Sequence, residues 1–184
     1  MQSLQDHFLI AMPAMADPNF NETVTYICKH DAEGAFGLVI TRPSDLSLGE
    51  MLGQLAIELK DRTWAERPVM HGGPVEPERG FVLHRGDTPY EATLAVSSEI
   101  KLTSSPDILA AIGNGQGPDP VLVALGYAGW GHGQLEAELG SNTWLTVPAN
   151  PSIIFETPAE QRWTAALGLP GVDIRRITHY AGHA

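Results

Sequence analysis

The chain of 184 residues is 43% hydrophobic and 18% charged, which predicts one globular domain over residues 1–184 and excludes an intrinsically disordered chain. Its 22 acidic and 11 basic side chains give a formal net charge of -11, which argues against nucleic acid and anionic membranes as direct partners. Cys28 is the only cysteine, so an intrachain disulfide and zinc sites built from two or more thiolates are excluded.

The N-terminal residues predict neither a secretion signal nor a membrane span. No basic leader precedes the apolar stretch from Phe8 to Ala16, and Pro13 interrupts that stretch, which is far too short to cross a bilayer. The use of a single cysteine fits a reducing compartment. We therefore expect a cytoplasmic protein.

The first half of the chain predicts short strands and one amphipathic helix. Runs rich in β-branched and aromatic residues indicate strands at 7–12, 23–30, 37–41, 69–71, 80–84 and 94–97. In "SLGEMLGQLAIEL" the period changes to that of a helix, and Ser47 with Glu50 forms a capping box. The apolar face of this helix is predicted to carry Leu48, Met51, Leu52, Leu55 and Leu59.

The second half alternates helices and strands less regularly. A helix is predicted to follow Ser105 as N-cap and Pro106 as first residue, and "PVLVALGY" is typical of a strand buried on both faces. Further predictions are a short helix at 134–139, strands at 143–147 and 152–155, and a helix at 158–167.

This order of elements favours an α+β fold. The strands cluster in runs and do not alternate strictly with helices, so a mixed or mainly antiparallel sheet is favoured over a doubly wound parallel one. No repeat, low-complexity tract or long polar linker marks a domain boundary.

Several separate blocks resemble the bacterial YqgE/AlgH family. They are "FLIAMPAMADPNF", "GAFGLVITRP", "HGGPV" with "RGFVLH", "ALGYAGWGHGQLEAEL" and "NTWLTVPA", and they follow the family's order over nearly the whole chain. The resemblance implies a compact α+β domain with a curved, partly barrel-like sheet and about four flanking helices. Its members are described as uncharacterised, some with a transcriptional-regulator label, and no catalytic residues are established for them.

The stretch "HGGPVEPERGFVLH" is the first candidate binding site. Gly72 and Gly73 allow a sharp elbow with exposed backbone amides, which could hold an anionic group together with the guanidinium of Arg79 and the ring of His71. The alternative is a turn that only joins two strands, with Arg79 paired to Glu76 or Glu78.

The glycine-rich loop after the buried strand is the second candidate. Trp130, Gln134 and Glu136 could form a small polar pocket under an aromatic lid, or Gln134 and Glu136 could simply cap the helix that follows. The glycines of "GWGHGQLE" match a dinucleotide fingerprint only in part, because Glu136 replaces the third glycine. Trp144 and Trp163 are interpreted as core residues.

A cysteine nucleophile and a metal site are the remaining chemical hypotheses. Cys28 and His30 are two residues apart on a predicted strand, so their side chains would share one face, and His30 or His71 could activate the thiol. His179 and His183 have helical spacing near the C-terminus. No complete metal, nucleotide or hydrolase motif is present, so we predict no cofactor and no metal.

Together these patterns favour a non-enzymatic binding or regulatory protein. It would recognise a small ligand or a protein partner, with the elbow at Gly72 and the loop at Trp130 converging on one hollow. An enzyme that uses Cys28 with a nearby histidine is the alternative, and a regulator that contacts DNA directly is a third hypothesis.

Overall fold

The computed structural model describes residues 2–173 and 175–177. None of the helices in this part of the chain combines the length and apolarity needed to cross a bilayer. The strands are β1 His7–Ala11, β2 Val24–Asp31, β3 Gly34–Val39, β4 Pro43–Ser47, β5 Pro68–His71, β6 Val75–His84, β7 Thr93–Ala95, β8 Lys101–Thr103, β9 Val121–Trp130 and β10 Trp144–Pro148. The α-helices are α1 Leu48–Gln54, α2 Asp107–Gly113, α3 Gln134–Gly140, α4 Pro151–Phe155 and α5 Arg162–Leu167, with 3-10 turns at Arg62–Trp64 and Ala159–Gln161.

The strands form one curved, mainly antiparallel sheet in the order β10-β1-β2-β3-β9-β6-β8-β7. β5 joins β9 in parallel and β4 pairs with β5, so the sheet branches at β9. The curvature makes a half-barrel with helices against both faces. The predicted α+β class and the partly barrel-like sheet are therefore confirmed.

β9 belongs to both halves of the sheet because it bends at Gly126. Its first half pairs with β5 and β6, and its second half pairs with β3 and, at Tyr127, with the start of β6. Gly126 has φ +78°, and a Cβ there would lie 2.5 Å from the carbonyl oxygen of Gly73. Only glycine meets both conditions, since other L-residues rarely adopt this φ and the added carbon would overlap the neighbouring backbone.

Three apolar clusters fill the layers around the sheet. The inner cluster lies between the curved sheet and helices α4 and α5, the α1–α2 cluster lies under those two helices, and the α3 cluster lies between α3 and the strands β1, β2 and β9. The inner cluster includes Phe8, Tyr26 and Phe81. The α1–α2 cluster includes Leu52, Ile108 and Val123, and the α3 cluster includes Leu9, Leu135 and Trp144.

The predicted helix starts are only partly correct. The capping box of α1 is confirmed, because the Ser47 hydroxyl accepts the backbone N–H of Glu50 and the Glu50 carboxylate accepts that of Ser47. Ser105 does not cap α2. Its hydroxyl donates to the Asp107 carboxylate at 2.5 Å and accepts the N–H of Ala92 at 3.0 Å, so it ties the helix to the preceding loop.

α1 ends earlier than its apolar pattern predicts. Ala56 adopts φ +56°, and Ile57 donates its N–H to the carbonyl of Leu52 at 2.8 Å, the arrangement of a Schellman helix end. Leu55 is therefore 52% exposed. Leu59 is buried, but it lies beyond the end of the helix. The prediction that both lie on the helix's buried face is wrong, because the left-handed residue stops the helix after residue 54.

The predicted strand at 152–155 is wrong, since these residues form α4. The Asn150 side chain accepts the N–H of Ser152 at 2.9 Å, and Pro151 occupies the first helical turn. These two residues are a known helix-start signal. The pair Ile153 and Ile154 favoured a strand by propensity, but both side chains pack equally well beneath the helix.

We expect Ala56→Gly to stabilise the protein, because glycine relieves the left-handed strain at this helix end by about 1 kcal/mol. Ala110→Gly is the matched control, since Ala110 is exposed inside α2 and glycine there should destabilise by about 0.5–1 kcal/mol. Urea unfolding of both variants measures the two free energies. Equal effects of the two substitutions would contradict this account of the α1 end.

Candidate functional site

The glycine elbow is packed against β9, and one of its two glycine amides is used within the sheet. The N–H of Gly72 donates to the carbonyl of Leu125 at 2.7 Å. A Cβ at Gly72 would lie 2.4 Å from the carbonyl oxygen of Gly126, and one at Gly73 would lie 2.1 Å from the carbonyl carbon of Tyr127. These glycines let two backbone segments approach closely, which is a structural requirement of the bend in β9.

His71 and Arg79, the side chains predicted to flank the elbow, are both exposed. The backbone N–H of His71 donates to the carbonyl of Arg42 at 2.7 Å. Arg79 forms an ion pair with Glu76 at 3.3 Å, one of the two partners considered from the sequence, and its guanidinium lies 5.2 Å from the ring centroid of Phe81. An anion role for Arg79 stays a prediction.

Trp130 and Trp144 are held together by one carboxylate. The indole N–H groups of the two residues donate to the same Oε2 atom of Glu138, at 2.7 and 2.9 Å. Trp130 is 6% exposed and Trp144 is 1% exposed, and both belong to the α3 cluster. The core assignment of Trp144 is confirmed, whereas Trp130 is buried and forms no lid over a pocket.

Gln134 and Glu136 have different roles at α3. The side-chain oxygen of Gln134 accepts the N–H of Gly131 at 3.0 Å, but Gly131 precedes the N-cap residue Gly133 and no side chain caps α3, so the capping alternative is wrong for Gln134. Glu136 does not cap the helix, because its carboxylate lies 2.7 Å from Nε2 of His30. Nδ1 of His30 accepts the N–H of Leu4, so Nε2 carries the ring proton and donates to Glu136. This hydrogen bond holds the pKa of Glu136 below its usual value.

The two loops lie on opposite faces of the sheet. Trp130 pairs with Ala35 in register, and both face the α3 cluster. The next residue of β3, Phe36, faces the inner cluster, as does Phe81, over which Arg79 stacks. Strand side chains alternate between faces, so Trp130 and Arg79 cannot line the same hollow. The prediction that the two loops converge is wrong.

A β-bulge separates Cys28 from His30. Ile27 and Lys29 are paired with successive residues of β3, which leaves Cys28 as the extra residue. Cys28 is fully buried in the inner cluster, while His30 reaches the α3 side. The prediction of a shared face is wrong because the bulge changes the alternation. Burial also raises the pKa of the Cys28 thiol, which disfavours the nucleophilic thiolate.

The described residues contain no group of three or more His, Cys, Asp or Glu that could hold a metal ion. His179 and His183, which the sequence singled out by their spacing, lie outside the described residues.

A groove of about 430 Å³ lies between α1, the start of α2 and β6. We call it the α1–β6 groove. Most of its walls are apolar, and its volume lies in the range of small-molecule sites. The apolar wall residues are Leu46, Met51, Leu55, Pro77, Phe81, Val82, Ile108, Leu109, Val123 and Leu125.

Gly80 leaves space within this groove. A Cβ at Gly80 would lie 3.6 Å from Cε of Met51 and 3.9 Å from Cδ2 of Leu125, which are ordinary contacts. The backbone therefore does not require glycine here, in contrast to Gly72. Half-exposed Leu55 extends the apolar surface to the rim. Gly80 was not predicted from the sequence as part of a site; an isolated glycine in a strand pattern is the signal that could have found it.

Three polar side chains at the edge of the groove have no partner among the described residues. The side chains of Gln54, Glu78 and Ser104 line the groove and make no hydrogen bond or ion pair within the described part of the chain. In contrast, the Thr103 hydroxyl is held by Nε2 of His84 at 2.7 Å. The arrangement combines a large apolar surface with a few polar groups, as expected of a binding site.

A family model described as AlgH-like matches residues 8–175. The chain belongs to the AlgH-like family. It is 52% identical over 180 residues to a UPF0301 protein of Methylococcus capsulatus, covering 98% of this chain and 96% of the relative. It is 54% identical over 186 residues to a UPF0301 protein of Nitrosospira multiformis, covering 100% of both chains. The resemblance to the YqgE/AlgH family is thus confirmed.

Solved structures show the same fold. The solution structure of AlgH from Pseudomonas aeruginosa has a TM-score of 0.81 and 50% sequence identity, and covers 100% of this AlgH-like chain and 97% of its own. A crystal structure of a Corynebacterium diphtheriae protein has a TM-score of 0.72, covers 93% and 90% of the two chains, and is 19% identical, so it supports the fold alone. The names of these proteins give neither a ligand nor a reaction.

We expect Cys28 to be unreactive toward a thiol-specific disulfide reagent in the native protein at pH 8.5, because the thiol is buried and its pKa is raised. In guanidinium chloride the same thiol should react fully. Absorbance of the released thiolate measures both reactions. Native reaction at the rate of the unfolded chain would restore the nucleophile hypothesis.

Glu138→Ala should lower the free energy of unfolding by about 2–4 kcal/mol, because two buried indole N–H groups lose their acceptor. Glu138→Gln keeps one acceptor oxygen and should cost less. Denaturant unfolding followed by tryptophan fluorescence measures both losses. If the alanine variant were as stable as the parent, the shared carboxylate would have no structural role.

Proposed function

We propose that this chain is a cytoplasmic, non-enzymatic binding protein with a regulatory role, and that it takes up a small apolar ligand in the α1–β6 groove. The observation that carries the proposal is the space over Gly80, which apolar side chains surround but none fills. Apolar side chains that face solvent in an open groove lack dispersion contacts with other side chains. A ligand would restore those contacts.

The polar side chains at the edge of the α1–β6 groove indicate what the polar end of the ligand would be. Glu78 contributes a carboxylate, while the Gln54 amide and the Ser104 hydroxyl can each donate or accept. The carboxylate and the net charge of -11 both disfavour an anionic head. We therefore infer an apolar molecule whose polar end donates hydrogen bonds.

Met51 makes the groove adaptable. Its thioether lies beside the space over Gly80, and an unbranched methionine side chain adjusts its rotamer to the shape of a ligand at small cost. Leu55 at the rim gains burial when a ligand binds, since it is half exposed in the free protein. Both features favour uptake of an apolar body.

The alternative roles have weaker support. A thiol enzyme would need Cys28 and His30 on one face, and the bulge places them on opposite faces. Direct contact with nucleic acid is no part of the proposal, because 22 acidic and 11 basic residues repel a phosphate backbone.

Two matched dyes test the proposal. N-phenyl-1-naphthylamine is neutral and carries one N–H donor, and 1-anilinonaphthalene-8-sulfonate adds a negative charge to the same rings. We expect fluorescence titration to show tighter binding of the neutral dye. Gly80→Val should fill the groove and weaken that binding about tenfold, since it displaces the apolar body.

Gly131→Val is the control, because a Cβ at Gly131 meets only the far end of Gln134, at 4.0 Å, on the α3 side. Circular dichroism and thermal unfolding confirm that both variants fold. Equal dye binding by a folded Gly80→Val variant and the parent would rule out the groove. Tighter binding of the sulfonate would reject the inferred polar end.

A further inference from the structure

Arg162 is a buried cation with no carboxylate partner. It begins α5 and is 8% exposed. Its Nε donates to the carbonyls of Ile153 and Thr157 at 3.1 and 2.9 Å, and its Nη1 donates to the carbonyl of Ile40 at 2.5 Å. These are neutral acceptors, and no carboxylate of the described residues forms an ion pair with Arg162; the charge of Glu160 acts on it only from a distance.

One nitrogen of this guanidinium is unused. Nη2 donates to no group in residues 2–173 and 175–177, and it is not closed off from solvent. Burial lowers the pKa of Arg162 to about 10, mainly through loss of hydration. The side chain therefore remains charged at neutral pH, with a free N–H donor that an anion can use.

Arg162 lines a hollow of about 280 Å³ beside a second arginine. Arg67 also lines this hollow. Its guanidinium lies 3.7 Å from the ring centroid of Trp64, which is not a lining residue, and it forms no ion pair with a carboxylate of the described chain. Met70 and Phe155 supply apolar wall. Among the residues that line this hollow, Arg67 and Arg162 are the only ones with a positively charged side chain.

We propose that the hollow between Arg67 and Arg162 binds a small oxyanion, a phosphate group or a carboxylate. Two guanidinium groups beside an apolar wall suit such a ligand, because planar N–H forks bind oxyanions in pairs of hydrogen bonds and partial burial strengthens each bond. The ligand would give Arg162 the direct anionic contact that no carboxylate of the described residues makes. This site is separate from the α1–β6 groove and does not depend on the ligand proposed there.

Asp119 gives the site a built-in opposing charge. It is exposed and lines the same hollow, so its carboxylate repels an incoming anion. This makes a pair of variants with opposite expected effects. Arg67→Gln should weaken oxyanion binding about tenfold, and Asp119→Asn should strengthen it about threefold, since each removes one charge next to the ligand.

The probes are inorganic phosphate and acetate, each compared with chloride at constant ionic strength. Isothermal titration calorimetry measures affinity, and the shift in Tm gives a second readout. We expect at least one oxyanion to bind and to raise Tm beyond the chloride control. Preference for phosphate or for acetate identifies which oxyanion the site takes.

Arg79→Gln is the matched control, because Arg79 is an exposed arginine on β6 that is paired with Glu76 and lines a different hollow. It should leave the affinity within twofold of the parent. If Arg79→Gln lost binding while Arg67→Gln retained it, the anion would bind near Arg79, as the sequence predicts. That result would overturn the proposal. Absence of binding by phosphate and acetate would also overturn it.

Arg162 itself is unsuited as the first variant, since its hydrogen bonds join α4 and α5 to β3 and their loss would destabilise the fold. Arg162→Lys provides a stricter test where it folds. Lysine keeps the charge but loses the planar fork, so oxyanion affinity should fall while the dye affinity of the α1–β6 groove is unchanged. An unchanged oxyanion affinity would remove Arg162 from the site.

Discussion

The close crossing of two backbones at β9 is the constraint on which the rest of the structure depends. Gly72 and Gly73 lie directly on Gly126 and Tyr127, with no room for a Cβ on either glycine of the elbow. This crossing lets β9 bend and pair with β5 and β6 in one half of the sheet and with β3 in the other. The inner cluster lies against one face of this bent sheet and the α3 cluster against the other.

The glycine elbow therefore has an architectural role that its sequence did not reveal. A Gly-Gly-Pro turn next to histidine and arginine has the composition of an anion site, but composition does not say which backbone lies against it. The N–H of Gly72 is already used by Leu125 across the crossing. A partner that lies more than fifty positions further along the chain could not be inferred from local pattern.

Local signals predicted most of the fold. The capping box at Ser47 and the apolar run of β9 were correct because each depends on interactions within one element or on burial on both faces. The prediction at α4 was wrong because the Asn150–Pro151 helix start determines the conformation there, despite the β propensity of Ile153 and Ile154. The early end of α1 depends on a non-glycine residue in a left-handed conformation, for which the sequence gives no reliable sign.

The candidate sites were harder to predict because they depend on which face each side chain occupies. The sequence predicts Arg162 only as part of a helix. In the structure it is the only buried lysine or arginine among the described residues. Gly80 and Met51 meet across elements that are far apart in sequence. The two glycine-rich loops were predicted to share one hollow because each carries polar side chains. The alternation of side chains along the strands instead directs them to opposite faces of the sheet.

The bulge at Cys28 divides β2 into two stretches with opposite inside and outside assignments. A homologue that lacked this one extra residue would keep the equivalents of Lys29 and His30 opposite Phe36 and Ala35, on the faces they occupy here, and would lose only the buried thiol position. A single-residue gap in an alignment at this position thus restores a regular ladder and leaves the chemistry of both surfaces in place, whereas a gap placed one residue away would assign Lys29 and His30 to the wrong faces. Any transfer of residue roles among relatives has to place that gap first.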